Sequence, residues 1–312
     1  MEHSMQKTQF KGVFMLFLTA FIWGTSFVAQ SVGMEEVQAF TFNGIRTLMG
    51  AGVLIPFILV RDWLSGRNMD EHQLAQRKET TKKSIHSGIK LGLVLFFASN
   101  FQQFAFYYST SGKIAFVTAF YMFFVPVLGL FLRKKIPFLT WVCVVFGIVG
   151  LYFLCIDPSN LGAINKGDIL CFICSIFYAV HILFVEHIAS EVDGIKVSCV
   201  QFIVSGLISC AMMFLFETPQ MAAIVSALPS LLYSGVMSCG IAYTFQIVGQ
   251  KYAEATVASL IMCMESVFGV LAGAIILHEV LSGREILGCV IMFVAIILSQ
   301  LTDKITEKLK KA

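Results

Sequence analysis

Long apolar segments alternate with short polar connections along almost the whole chain. Ten such segments start near residues 12, 37, 88, 114, 137, 167, 197, 226, 254 and 283. A helix needs about 20 mostly apolar residues to cross the hydrocarbon core of a bilayer, where every backbone polar group must be paired inside the protein. The pattern therefore predicts an all-α membrane protein with ten transmembrane helices, and the lipid bilayer is its first expected partner.

The apolar segments divide into two sets of five that resemble each other. Gly12-Val13-Phe14 and Gly167-Asp168-Ile169 open matching runs, and Phe101-Gln102 aligns with Phe245-Gln246 in a second matching block. Weak internal symmetry of this kind is typical of transporters that are built from repeats. Because each set has an odd number of spans, the second set must enter the membrane in the opposite direction. We therefore predict two inverted five-helix repeats.

The ends of the apolar runs give the boundaries of these units. The first repeat is predicted over residues 12–156, with one long polar cytoplasmic loop at about 61–87. A polar, proline-containing break predicts a linker over residues 157–166. The second repeat is predicted over residues 167–302, and a short basic cytoplasmic tail follows over 303–312.

Lys and Arg residues are distributed unevenly between alternate connections. If the N-terminus is inside, the connection 61–90, the run 133–135 and the tail all lie on the inner side, whereas only Lys113, Lys166 and Arg284 lie outside. Basic residues accumulate on the cytoplasmic side of membrane proteins. We therefore predict a multi-pass protein of the plasma (inner) membrane with both termini in the cytoplasm.

Composition excludes several other classes of protein. Hydrophobic residues make up 57% of the chain and charged residues 13%, whereas soluble domains carry about 25% charged residues. The net charge of +3 comes from basic residues at helix ends, so no nucleic-acid partner is expected. The chain contains neither a GxxxxGK(S/T) motif nor an HExxH motif, and we expect no cofactor and no metal. The CxxC pair Cys171 and Cys174 is interpreted as small packing residues rather than as a zinc or redox pair.

Two pairs of glycines have the GxxxG spacing that lets helix backbones approach each other closely. These pairs are Gly88 with Gly92 and Gly269 with Gly273. We interpret them as contacts within one helix bundle rather than as dimer interfaces, and the sequence indicates no particular oligomeric state.

Polar side chains inside the apolar segments follow helical spacing. Trp23, Ser26 and Gln30 share one face of the first span, and Tyr178 and His181 repeat that face in the sixth. A polar stripe in lipid should face the interior of the bundle. We therefore predict a central polar cavity, although an interhelical hydrogen bond is the alternative for any single residue. The candidates for this cavity are Trp23, Ser26, Gln30, Arg46, Asn100, Gln103, Tyr121, Tyr178, His181, Tyr243, Gln246 and Glu265.

Two charged residues lie inside predicted spans. Arg46 is in the second span, and Glu265 is midway along the ninth. A charge at the centre of a bilayer costs about 2.5–3.5 kcal/mol on the insertion scale, and it persists where it faces a cavity or a partner. These two residues therefore belong either to a substrate or proton site or to a buried lock between the repeats, in which Arg46 pairs with Glu265.

Several motifs carry a resemblance to a known group of transporters. They are FIWGTSF at 21–27, Arg46, GKIAFVTA at 112–119, YAEA at 252–255 and MESVF at 264–268. Over nearly its whole length, the chain resembles the drug/metabolite transporter superfamily and its EamA type in particular. This resemblance implies a ten-span carrier that exports small metabolites, amino acids or drugs.

The leading hypothesis is a secondary transporter, and not an enzyme, that works by alternating access around a site near the membrane midplane. Its expected partners are a small-molecule substrate and a coupling proton or other ion. The alternatives are an intramembrane enzyme and a sensor or scaffold without transport. Saturable flux of a labelled solute separates the carrier from both.

Overall fold

All regular structure in the described part of the chain is helical. A computed structural model describes residues 2–67, 69–109, 111–155, 165–276 and 282–311. Most of the predicted linker lies outside these residues. The helices are α1 (Glu2–Glu36), α2 (Ala39–Gly66), α3 (Glu71–Ala105), α4 (Ser111–Thr118), α5 (Tyr121–Phe131), α6 (Phe138–Cys155), α7 (Lys166–Ile188), α8 (Gly194–Phe216), α9 (Met221–Ser226), α10 (Leu228–Leu232), a π-helical segment (Tyr233–Tyr243), α11 (Thr244–Gln250), α12 (Ala255–Met262), α13 (Met264–Ile276) and α14 (Gly283–Lys311).

Many of these helices are long and apolar enough to cross a bilayer. Within the described residues there are seven such stretches: Phe10–Glu36, Ala39–Gly66, Ile114–Phe131, Lys166–Ile188, Gly194–Phe216, Leu228–Gln250 and Ala255–Ala272. Two shorter apolar helices occupy Phe138–Phe153 and Ile286–Ser299. The described part of the chain is therefore all-helical, and the protein is a multi-pass membrane protein.

The segment predicted as a long polar loop at 61–87 is mostly helical. α2 continues to Gly66, and α3 begins at Glu71. A capping box explains the new start, because the Asp70 side chain accepts a hydrogen bond from the Gln73 N–H at 2.7 Å and the Gln73 side chain accepts one from the Asp70 N–H at 3.2 Å. The predicted tail is also helical, since α14 runs to Lys311.

Two of the apolar stretches are interrupted near their middle. The first is broken at residues 119–120, between α4 and α5, and the second at Cys263, between α12 and α13. The two breaks face each other, because the Cys263 Sγ lies 3.5 Å from the carbonyl oxygen of Ala119. Discontinuous helices that meet inside the membrane are typical of binding sites in transporters.

Helices from the two halves of the sequence pack against each other throughout the bundle. α2 packs on α8 and on the π-helical segment, α3 on α7 and α8, α1 on α13, and α6 on α14. A Cβ atom added to Gly88 would lie 2.6 Å from the Val200 Cβ, and one added to Gly92 would lie 2.7 Å from the Val204 Cβ. The predicted role of this glycine pair inside the bundle is thus confirmed.

α2 and α8 are joined at both ends by acidic side chains. At one end, Arg61 of α2 binds Asp193, which caps the N-terminus of α8. At the other end, the Glu217 carboxylate accepts hydrogen bonds from the N–H groups of Phe40 and Thr41, at 2.8 and 2.7 Å, where α2 begins. We call the end that carries Arg61 the basic end of the bundle. The N-terminus of α8 is therefore stabilised by its own capping carboxylate, and the N-terminus of α2 by a carboxylate at the end of α8.

Candidate functional site

A small cavity lies in the interior, where helices from both halves of the chain meet. Its volume is about 30 Å³, which corresponds to one or two water molecules. Its lining consists of aromatic, polar and charged side chains: Trp23, Phe27, Gln30, Arg46, Gln102, Thr118, Tyr121, Tyr178, Ser238, Tyr243 and Glu265. A solute of metabolite size would therefore need these helices to separate.

The two helix breaks place one hydrogen bond in the wall of the cavity. Tyr121 is the first residue of α5, and Glu265 is the second residue of α13. The Tyr121 hydroxyl donates to the Glu265 Oε1 at 3.1 Å. Both side chains are almost fully buried, with exposed fractions of 2% and 4%. Each half of the chain thus contributes a polar group to the cavity directly after a break.

A chain of hydrogen bonds connects the aromatic residues of the cavity. The Tyr243 hydroxyl donates to the Tyr178 hydroxyl at 3.3 Å, and Tyr178 donates to the Gln102 Oε1 at 3.4 Å. The Gln102 amide in turn donates to the Thr118 Oγ1 at 3.3 Å. The Trp23 ring packs on the Tyr243 ring with 4.6 Å between centroids. These contacts fix the aromatic wall across both halves of the chain.

The π-helical segment supplies two of the lining residues. Its i→i+5 hydrogen-bonding pattern brings Ser238 and Tyr243, which are five residues apart, to the same cavity. The segment also packs tightly on α2, because a Cβ atom added to Gly50 would lie 2.6 Å from the Cys239 Cβ. π-Helical turns are frequent at functional sites.

Arg46 lies in the same cavity as Glu265, but among the described ion pairs none involves Arg46. Its exposed fraction is 4%, and its guanidinium carbon lies 5.5 Å from the centroid of the Phe42 ring. Its Nε atom is buried and has no hydrogen-bond partner in the described part of the chain. The same holds for the Trp23 Nε1 and the Gln30 Oε1. Three residues of the cavity lining therefore carry a buried polar atom that makes no hydrogen bond within the described part of the chain.

Seven of the predicted residues come together in this cavity, and five do not. The seven are Trp23, Gln30, Arg46, Tyr121, Tyr178, Tyr243 and Glu265. The five that lie elsewhere are Ser26, Asn100, Gln103, His181 and Gln246. All five are buried.

Asn100 and His181 make hydrogen bonds between helices, and Gln246 makes one along its own helix. The Asn100 Nδ2 donates to the Ser209 Oγ at 3.0 Å, and the Asn100 Oδ1 accepts from Asn43 at 3.0 Å, so Asn100 joins α2, α3 and α8. The His181 Nε2 lies 2.9 Å from the Gln201 Oε1. The Gln246 Nε2 donates to the Gln250 Oε1 at 3.0 Å. Asn100 and His181 therefore fit the alternative of interhelical hydrogen bonding, whereas the Gln246 bond lies within α11.

The other two have different environments. Ser26 is fully buried on α1, where its carbonyl oxygen accepts from the Gln30 Nε2 at 3.3 Å. Gln103 is fully buried, and neither of its amide atoms has a hydrogen-bond partner in the part of the chain that the structure describes. The preceding residue, Gln102, lines the cavity instead.

Phe27, Gln102, Thr118 and Ser238 line the cavity but are not among the predicted residues. Two of them carried a signal in the sequence. Gln102 aligns with Gln246 between the two halves, and Thr118 lies in the motif at 112–119. Phe27 and Ser238 are common residue types in apolar helices, and their positions become apparent only from the packing.

A larger recess opens at the basic end of the bundle. Its volume is about 480 Å³, and its lining includes Glu186, Gln250, Lys251 and Glu254. Glu186 pairs there with Lys134. Among the described residues, no group of three or more His, Cys, Asp or Glu side chains is arranged to bind a metal.

Two proteins with similar sequences are named as transporters. An uncharacterized transporter of Archaeoglobus fulgidus is 24% identical over 287 residues, which cover 92% of this chain and 84% of the relative. The uncharacterized transporter YoaV of Bacillus subtilis is 24% identical over 293 residues, which cover 90% of this chain and 94% of the relative. A crystal structure of a protein with 16% sequence identity matches the fold with a TM-score of 0.77 and covers 95% of this chain and 98% of that chain.

The EamA-like transporter family matches the sequence twice, at residues 10–156 and 165–301. These two matches take up most of the chain and together contain all the residues that line the cavity. The resemblance seen in the sequence motifs is confirmed, and the protein is a membrane transporter. The chain belongs to the EamA-like transporter family.

Proposed function

We propose that the protein is a secondary transporter that exports a small organic solute by alternating access. The solute class is a small metabolite, an amino acid or a drug-like molecule, and a proton or another ion drives its movement. The observation that carries this proposal is the central cavity at the two helix breaks, where buried polar atoms of Arg46, Trp23 and Gln30 have no protein partner in the described residues.

Unpaired polar atoms in a protein interior support a binding role for the cavity. A buried donor or acceptor without a partner costs about 1–3 kcal/mol, so such atoms are retained where a ligand or water pairs with them. A cavity of about 30 Å³ is too small for a metabolite. Substrate binding therefore requires a movement that widens the cavity, as alternating access supplies.

The packing of the helices supports two inverted repeats with ten spans. α1 packs on α13, and α7 packs on α4 and α5; likewise α2 packs on the π-helical segment, and α8 packs on α3. An exchange of partners between the halves is what a twofold relationship produces, and the odd number of spans in each half makes that relationship inverted. The additional spans are the apolar part of α3 and the two shorter apolar helices. We assign residues 12–156 and 167–302 to the two repeats.

The distribution of charges supports one orientation in the membrane. Arg61, Arg77, Lys134 and Lys196 all lie at the basic end of the bundle, close to the ends of α2, α5 and α8. We propose that this end faces the cytoplasm, with both termini on the same side of the plasma (inner) membrane. The 480 Å³ recess is then the cytoplasmic approach to the cavity.

Flux measurements test this function directly. Purified protein is reconstituted into liposomes, and uptake of a panel of radiolabelled L-amino acids and cationic dyes is measured with and without a pH gradient. Saturable flux, stimulated by the same solute on the opposite side, supports the transporter. Protein that is folded but carries no saturable flux of any probe would overturn the proposal, and chemical conversion of a probe would favour an intramembrane enzyme.

A further inference from the structure

One carboxylate connects three helical elements at the basic end of the bundle. Glu186 lies two residues before the end of α7. It pairs with the Lys134 ammonium, and its Oε1 accepts a hydrogen bond of 3.0 Å from the Ala255 N–H. Lys134 lies in the turn after α5, and Ala255 is the first residue of α12. The Glu186 side chain thus holds the ends of α5, α7 and α12 together.

The same three elements reach the central cavity. α5 begins with Tyr121, α7 carries Tyr178, and α12 leads through the break at Cys263 to Glu265. Glu186 follows Tyr178 by eight residues, which corresponds to about 12 Å along a helix at ~1.5 Å per residue. The carboxylate therefore makes no contact in the cavity itself. It connects the ends of the helices that form the cavity wall.

We propose that Glu186 and Lys134 form a latch that keeps the cavity closed toward the basic end. Glu186 is a positioning residue in this latch, since it holds the start of α12 and thereby the helix that continues to Glu265. The latch rests on the proposed alternating access, because it controls which side of the cavity opens. Its removal shifts the population toward the conformation that is open at the basic end.

The sequence supports a latch at one end only. In the alignment of the two halves that starts at Gly12 and Gly167, Glu186 corresponds to Ser31. Ser31 has no charge, so the equivalent position in the first half cannot form an ion pair. Glu186 and Lys134 therefore affect the two directions of opening differently. A symmetric packing contact between the repeats would affect both directions equally.

The expected size of the effect follows from the exposure of the pair. The side chains of Lys134 and Glu186 are 39% and 20% exposed. Partly exposed ion pairs contribute about 0.5–1 kcal/mol, which corresponds to a population change of about two- to fivefold. The latch is therefore weak enough to open during a transport cycle.

Labelling of the cavity from one side tests this proposal. Ser238→Cys serves as the reporter after the nine native cysteines have been replaced, and a membrane-impermeant thiosulfonate is applied to inside-out vesicles. Glu186→Gln keeps an acceptor for the Ala255 N–H but removes the charge, and Lys134→Met removes the cation. We expect each variant to label about two- to fivefold faster than the reporter protein alone.

Two further variants separate the latch from a general effect of charge. Lys134→Arg keeps the cation and should label at the original rate. Lys251→Gln removes a different cation from the same recess and should also leave the rate unchanged. Both single variants remove the ion pair between Lys134 and Glu186, and Lys134→Met also removes the attraction between Lys134 and Glu254. The double variant of Lys134→Met and Glu186→Gln should therefore label no faster than Lys134→Met alone.

The latch would be overturned if both single variants label at the original rate. It would also be overturned if the effects add up in the double variant, or if Lys251→Gln accelerates labelling equally. If Glu186→Gln does not fold, Lys134→Met gives the answer alone, because it leaves the contact between Glu186 and Ala255 in place. Labelling is measured without a transported solute, so it is readable even if no flux is found. If the variants label at the same rate as the reporter protein and saturable flux is found, the latch is rejected and the proposed transport function still stands.

Discussion

Tyr121 and Glu265 meet in the centre of the bundle, each directly after a break in its own helix. The Tyr121 hydroxyl donates to the Glu265 carboxylate at 3.1 Å, and the Ser266 Oγ lies 3.4 Å from the Ala115 carbonyl oxygen beside them. A break frees backbone groups and lets side chains of two helices approach at the same depth. The two halves of the chain therefore contact each other through polar groups in the wall of the central cavity.

Replacement of Glu265 tests whether this contact serves transport. Glutamine still accepts a hydrogen bond from Tyr121, so we expect Glu265→Gln to unfold at nearly the same temperature as the original protein. It cannot exchange a proton, so its flux should be lost or should no longer depend on pH. Thermal unfolding and proteoliposome flux at several pH values measure both effects.

The matched control for Glu265→Gln is Glu35→Gln, which neutralises an exposed carboxylate at the end of α1. It should change neither stability nor flux. A Glu265→Gln protein with normal stability, normal flux and normal pH dependence would show that the carboxylate serves neither transport nor a structural lock.

A close backbone approach holds α1 against α13 beside the cavity. A Cβ atom added to Gly24 would lie 2.5 Å from the Glu265 carbonyl oxygen and 2.6 Å from the Phe268 Cβ. We expect Gly24→Ala to destabilise the protein by about 1–3 kcal/mol, because overpacking forces the two helices apart. The midpoint of thermal unfolding measures this loss.

Gly52 provides the matched control, since no atom lies within 4 Å of a Cβ added there. Gly52→Ala should leave stability unchanged or raise it by up to about 1 kcal/mol, because alanine favours helix more than glycine does. Equal unfolding temperatures for the two variants would contradict the tight contact between α1 and α13.

Much of the fold follows from the sequence because hydropathy and length decide which segments enter a bilayer. Hydropathy indicated the helical membrane class, and the glycine spacing at 88 and 92 correctly indicated contacts inside the bundle. The helical segment within 61–87 was missed because its polar composition resembles a loop. Only the capping box at Asp70 indicates the helix start, and such local signals are weaker than hydropathy.

The sequence is less informative about which polar residues share the cavity. On α3, periodicity selected Asn100 and Gln103, whereas the structure brings Gln102 to the cavity and uses Asn100 to join three helices. A polar stripe indicates only that a face is turned away from lipid. Whether that face meets a cavity or another helix depends on the packing of the whole bundle, which periodicity in one segment does not contain.

The orientation of the bundle is testable by labelling single cysteines on a background without native cysteines. We expect Ala75→Cys, in the polar part of α3, to react with an impermeant maleimide only after the cells are opened. Glu35→Cys, at the other end of the bundle, should react in intact cells. The reason is the accumulation of Lys and Arg at the basic end. Labelling of residue 75 from outside would reverse the orientation.

The last prediction separates the two roles of Arg46. In a buried lock, removal of one charge from an ion pair costs about 3–5 kcal/mol of stability. Arg46 lines the cavity, has no ion-pair partner among the described residues, and its buried Nε has no hydrogen-bond partner there. We therefore expect Arg46→Gln to keep its unfolding temperature within a few degrees and to weaken the apparent affinity for the solute. A charge-assisted hydrogen bond is worth about 1.5–3 kcal/mol, so the KM of flux should rise about 10- to 100-fold.

Arg67→Gln is the control for this measurement. Arg67 is exposed at the end of α2, and within the described part of the chain its guanidinium lies over the Trp63 ring. It should leave the KM unchanged. A large loss of stability in Arg46→Gln, with restoration when Glu265→Gln is added, would instead establish the lock between the two halves. Restoration is expected in that case because the double variant removes both buried charges, so neither is left unpaired.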